Sequence, residues 1–194
     1  MPADFGRKTM RMTWVAGLMA ALMLPASAVA LDVGPPVGAR APAIAATTSD
    51  GKAASLASVA GKNGTVLVFF RSAAWCPYCQ AQLIALKEAE RPLAQRGYTL
   101  VGVSYDRPEV LAQFKARRDV GYTLLSDDGS KIIDAFKLRD PQYPPGHRAH
   151  GVPQPAIFVI SRAGVVQAKL AEEGYKNRPP VSAVIEAVDG AAKR

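Results

Sequence analysis

At 194 residues, with 49% apolar and 21% charged residues, the chain is long enough for one domain with a buried core and too short for two ordinary ones. Those proportions exclude a disordered, collagen-like or multi-span membrane protein. The net charge of +8 is spread over scattered basic residues, among them Lys115, Arg117, Arg118, Lys131, Lys137 and Arg139. Without aromatic interleaving or a nucleic-acid motif these read as solvated surface, so no nucleic-acid partner is expected and an acidic protein partner stays open.

Residues 1–30 stand apart from that domain. Arg7, Lys8 and Arg11 form a basic stretch, an uncharged apolar run follows from Trp14 to Leu24, and Pro25 precedes Ala28, Val29 and Ala30 at cleavage spacing. This succession predicts a signal peptide cleaved after Ala30, an exported product in the periplasm or outside the cell, and no stable membrane insertion afterwards. An uncleaved anchor is the alternative, because the uncharged run over residues 13–31 is nearly long enough for a bilayer. Residues 31–194 form the expected domain, with 21 basic and 15 acidic residues.

In chain order, residues 31–46 are rich in Gly, Pro and Ala and predict an extended lead-in. Ser49, Asp50, Gly51 and Lys52 signal the turn of an N-terminal hairpin. Residues 65–70 (TVLVFF) predict a central strand buried on both faces. Beginning near Cys76, Leu83, Ile84, Leu86 and Leu93 recur at helical spacing until Gly97, with Pro92 expected to kink or end the helix. Residues 99–104 predict a second strand, 108–118 a helix and 122–125 a short strand, the alternation of a βαβ unit. A short helix ends at Phe136, and a polar loop runs from Arg139 to Val152. Residues 156–160 and 165–170 predict a hairpin, and a last helix over 180–188 starts at Pro179 or Pro180.

The chain's two cysteines, Cys76 and Cys79, flank Pro77 and Tyr78 where a buried strand gives way to a helix. A helix N-terminus offers free N–H groups and a positive dipole end, which stabilise a thiolate. Cys76 is therefore the expected nucleophile and Cys79, one turn inside and less exposed, the resolving thiol. A purely structural disulfide closing so short a loop would contribute only about 2 kcal/mol. Zinc binding would need two further ligands, and no second C-x-x-C exists. The expected redox group is thus the Cys76–Cys79 disulfide, with no metal and no other cofactor.

From about Val37 to Val188 the sequence resembles the redoxin branch of the thioredoxin superfamily, specifically peroxiredoxin-like proteins of the AhpC/TSA family. The resemblance rests on VGARAP from Val37, DGK from Asp50, FFRSAAWCPYC from Phe69 and PAIFVI from Pro155. It implies an α/β thioredoxin-like fold, a central mixed sheet flanked by helices, with an N-terminal redoxin-type hairpin. It also implies that Trp75 shields the disulfide edge and that Pro155 is a cis proline, with Pro153 as the competitor. A cis X-Pro bond there would leave the backbone of Gln154 open to a partner chain beside Cys76.

The same resemblance separates two activities. Peroxiredoxins carry Thr or Ser three residues before the reactive cysteine, Pro seven before it, and Arg at the position of Pro155. This chain has Ala73, Phe69 and Pro155 instead. The expected function is therefore thiol–disulfide oxidoreduction with protein thiols or disulfides and a redox partner that recycles the disulfide. A thiol-dependent peroxidase is the alternative, with Arg71 and Ser72 as substitutes for the missing groups. Thioredoxins keep an acid six residues before the first cysteine, where this chain has Phe70. His147 and His150, on the loop toward Pro155, are candidates for acid/base help, His150 the more so. Two cysteines and a downstream histidine also suit a Sco-type copper chaperone, although the C-x-x-C spacing is shorter than in those proteins.

Overall fold

A computed structural model describes residues 32–193; the expected leader over residues 1–30 lies outside the described residues. The turn at residues 49–52 joins β1 (Ala46–Thr48) to β2 (Ala53–Ala54) as an antiparallel hairpin. The Lys52 N–H donates to Thr48 Oγ1 at 2.9 Å and closes it. One helical turn that sequence reasoning missed follows, α1 (Leu56–Val59), capped reciprocally by Ser55 and Ser58.

The apolar run becomes β3 (Gly64–Phe69), every residue of which is buried. Then come α2 (Pro77–Ala85), α3 (Lys87–Gln95), β4 (Tyr98–Ser104), α4 (Pro108–Arg118), β5 (Thr123–Ser126) and α5 (Lys131–Ala135). The chain closes with the hairpin β6 (Ala156–Ser161) and β7 (Val166–Leu170) and with α6 (Val181–Ala191). The sheet order is β2-β1-β5-β4-β3-β6-β7. β3 pairs parallel with β4 (Leu67 opposite Val101) and antiparallel with β6 (Leu67 opposite Phe158), so the sheet is mixed.

The alternation of β3 divides the core. Val66 and Val68 pack with Leu83, Leu93, Phe114, Val184 and Val188 on the face covered by α2, α3, α4 and α6. Leu67 and Phe69 pack with Ile132, Ile133, Phe136 and Phe158 on the face covered by α5. The strand tolerates no side chain at its start, where a Cβ on Gly64 would lie 2.1 Å from the Ile160 carbonyl oxygen.

Two expectations are corrected. The helix after the cysteines breaks at Leu86 rather than at Pro92, which sits inside α3. A proline ring crowds the carbonyl four residues back, here Glu88 in the first turn of α3, so the interruption falls at the junction with α2. The bond before Pro155 is trans, since the described residues contain no cis peptide. The Gln154 N–H donates to the Leu138 carbonyl at 2.7 Å and Arg139 bridges to Pro153. These contacts hold the approach extended, as a residue before a trans proline prefers.

Candidate active site

Parallel pairing brings the C-terminal ends of β3 and β4 side by side, the edge where α/β sheets place their sites. From β3 the chain runs through Arg71, Ser72 and Ala73, all buried, before surfacing at Ala74 and Trp75. Asp106, just past β4, winds this turn. Its carboxylate accepts from the Ser72 hydroxyl at 2.8 Å, the Ala73 N–H at 2.7 Å and the Ser104 hydroxyl at 3.0 Å. Ser72 Oγ in turn accepts from the Ala74 N–H at 3.0 Å, and the Gln80 side chain donates to the Ala73 carbonyl at 2.8 Å. Burial raises the Asp106 pKa above the usual carboxylate range, opposed by the Ala73, Ser72 and Ser104 hydrogen bonds.

The turn delivers Cys76 to the N-cap of α2, with Pro77 behind it in the first turn. Cys76 and Cys79 are joined as a disulfide, and Cys76 Sγ accepts from the Cys79 N–H at 3.2 Å. Both cysteines are buried, Cys76 at 2% exposure and Cys79 at 0%. The expected contrast in exposure is therefore slight, and what distinguishes them is their partners. Cys79 Sγ has Arg178 Nη2 at 3.4 Å. That guanidinium is held down to about 10, first by burial and then by repulsion from Arg71. Around the disulfide Trp75 and Tyr78 are exposed, and Tyr78 meets the Tyr175 ring edge-on at 6.0 Å.

Arg71 does not point to solvent as a strand-end arginine would. It is 2% exposed, its guanidinium carbon 5.4 Å from the Trp75 ring, 4.8 Å from Tyr143 and 4.4 Å from Tyr175. Trp75, expected to shield the disulfide, lies against Arg71 and donates its indole N–H to Tyr105 Oη at 3.0 Å. These residues, with His147, Arg148 and Ala149, wall a cavity of about 530 Å³. Of the two histidines it is His147 that reaches the cavity, its ring 4.9 Å from Tyr143. His150, the one favoured from sequence, is tied to Arg139 at 3.2 Å and to the Tyr143 carbonyl at 2.8 Å. Among the described residues no three metal-ligating side chains gather.

Gln154 and Pro155 sit immediately before β6, whose Ala156 pairs with Phe69 at the end of β3. The structure thus places them beside the Arg71 turn, with the Gln154 N–H already engaged by Leu138. Sequence reasoning missed Asp106, Tyr105, Tyr143, Tyr175 and Arg178. Tyr105 and Asp106, the first two residues after an apolar strand, carried a usable signal; the others come from irregular segments whose approach to Cys76 no local pattern records.

Fold and site together define a thioredoxin-fold protein with a disulfide at a helix N-terminus. Residues 37–169 match the AhpC/TSA family, and the chain belongs to that family. It is 30% identical to a Haemophilus influenzae protein assigned to the peroxiredoxins as bcp, over 67% of this chain and 82% of that one. Among solved structures, peroxidoxin BcpB from Mycobacterium tuberculosis superposes with a TM-score of 0.67 at 21% identity, covering 81% of this chain and 96% of that chain. A Bacteroides thetaiotaomicron protein assigned as a disulfide isomerase superposes with a TM-score of 0.61 at 21% identity, covering 84% and 96%.

Proposed function

We propose that the chain is an exported thiol–disulfide oxidoreductase, working through Cys76 and Cys79 on protein thiols or disulfides and recycled by a separate redox partner. One juxtaposition carries the reading: the two cysteines stand one helical turn apart with their sulfurs joined, Cys76 at the N-cap and Cys79 against Arg178. In the reduced protein the Cys76 thiolate attacks a partner disulfide, helped by the Cys79 N–H and the helix N-terminus. Cys79 then attacks Cys76 Sγ and releases the partner, so the electrons pass from the two cysteines to the substrate. Exposed Trp75 and Tyr78 flank the site and offer aromatic surface to a partner chain.

Thiol peroxidase activity is the second reading, supported by the family and by the peroxiredoxin names of the relatives. Arg71, buried five residues before Cys76, is the cation available for it. Rates of the reduced protein with a model protein disulfide and with hydrogen peroxide decide between them. Exchange predicts fast reaction with the disulfide and slow reaction with peroxide; a peroxide rate that exceeds the disulfide rate overturns it.

Export is supported by the basic, apolar and small-residue succession through Ala30. Mass spectrometry of the protein from its own cells should find Leu31 at the N-terminus. An intact leader in the membrane fraction refutes cleavage.

A further inference from the structure

Arg71 is buried at 2% exposure, yet its Nε and Nη1 have no hydrogen-bond partner, and none of the ion pairs among the described residues includes it. Withdrawing a guanidinium from water without an acceptor is costly, and aromatic faces offset only part of that cost. Trp75, Tyr143 and Tyr175 surround the guanidinium, and their ring faces leave its N–H groups without the oxygen acceptors that an anion would supply. Arg71 forms part of the wall of the 530 Å³ cavity, with Arg148 as a second cationic wall residue.

We propose that this cavity is a carboxylate subsite, which selects small anionic thiols and their disulfides as exchange substrates of Cys76. The inference rests on the exchange reading. A concave site of this size suits a small molecule, and arginine pairs with a carboxylate through two parallel N–H···O bonds. Trp75, the residue before Cys76, lines the same cavity, and Tyr175 joins the Arg71 guanidinium at 4.4 Å to the ring of Tyr78, between the two cysteines, at 6.0 Å. A carboxylate held at Arg71 therefore brings its attached sulfur toward the cysteines.

With a disulfide R–S–S–R, the Cys76 thiolate bonds to one sulfur as the R–S–S–R bond breaks and R–S⁻ leaves. The Cys79 thiolate then displaces the second R–S⁻ from Cys76 Sγ. The cysteines lose two electrons and two protons, and the substrate takes up both as two molecules of R–SH.

The test compares reduction of the Cys76–Cys79 disulfide by 3-mercaptopropionate and by neutral 2-mercaptoethanol, per thiolate, at about 0.15 M salt to screen diffuse charge. In the wild type the anionic thiol should react about tenfold faster, the scale of one charge-assisted pair. Arg71→Met should bring the ratio to about one, whereas Arg117→Gln, which removes an exposed charge on α4, should keep the preference. A second arm needs no variant. Butyrate, which has the carboxylate but no sulfur, should shift the Trp75 indole N–H signal of the oxidised protein and slow 3-mercaptopropionate selectively. A wild-type ratio near one, a preference that survives Arg71→Met, or no butyrate shift overturns the proposal. Inertness toward both thiols with the butyrate shift intact refutes the exchange reading instead, and the carboxylate subsite stands.

Discussion

Arg178 Nη2 lies 3.4 Å from Cys79 Sγ, so the sulfur that leaves when the disulfide is opened at Cys76 has a guanidinium beside it. The contact favours the ionised dithiol over the disulfide. Arg178→Met should therefore lower the reduction potential, making the protein a weaker oxidant, because the reduced form loses stabilisation. One charge-assisted contact of about 1.4 kcal/mol corresponds to about 30 mV for a two-electron couple. Equilibration with a thiol redox buffer measures it. An unchanged or raised potential would show that Arg178 does not act on the thiolate.

Opening the disulfide at Cys76 is also the predicted chemical direction. Cys79→Ser should accumulate a mixed disulfide through Cys76, and Cys76→Ser almost none, read on non-reducing gels and by mass spectrometry. Cys76 Sγ has the helix-terminal Cys79 N–H, whereas Cys79 is fully buried against Arg178. Alkylation of the reduced protein at acidic pH should label Cys76 first. Equal trapping by both variants would remove the distinction between attacking and resolving cysteine.

Asp106 predicts a pH dependence of stability with a definite sign. Its folded pKa is raised, first by burial, so the folded protein holds that proton above the unfolded pKa. The contribution is fully present below the ordinary carboxylate value and is lost as pH rises through the raised one. The stability of the wild type relative to Asp106→Asn should thus fall on going from about pH 3.5 upward, in urea titrations at successive pH values. Asp106→Ala should cost about 2–4 kcal/mol, since it leaves the Ser72 hydroxyl and Ala73 N–H without their acceptor. A wild-type advantage that grows with pH contradicts the raised pKa.

Gly64→Ala should destabilise the protein by about 2 kcal/mol or more, since the new methyl would meet the Ile160 carbonyl at 2.1 Å and force β3 and β6 apart. Thermal unfolding measures this. The same strand leads into the turn that carries Arg71, so a loss of exchange rate beyond the loss of folded protein is expected. A neutral substitution would mean that the sheet yields there.

Sequence by itself determined the elements whose physics is local. An unbroken apolar run bounded by Gly64 and Arg71 is a strand covered on both faces, because alternate side chains leave on opposite sides and both must be buried. Cysteines three apart at a strand-to-helix junction are placed to join as a disulfide, because their spacing at the helix terminus brings them together within one turn. Tertiary structure decided what depends on distant partners. Arg71 is caged instead of solvated because Tyr143 and Tyr175 arrive from irregular segments far along the chain, and Arg178 reaches Cys79 from the same stretch as Tyr175. Pro155 is trans, with the Gln154 N–H before it held by Leu138, and His147 rather than His150 lines the cavity, the latter being tied to Arg139. Each outcome is a competition among contacts separated by loops, and loop closure leaves no periodicity in the sequence to read.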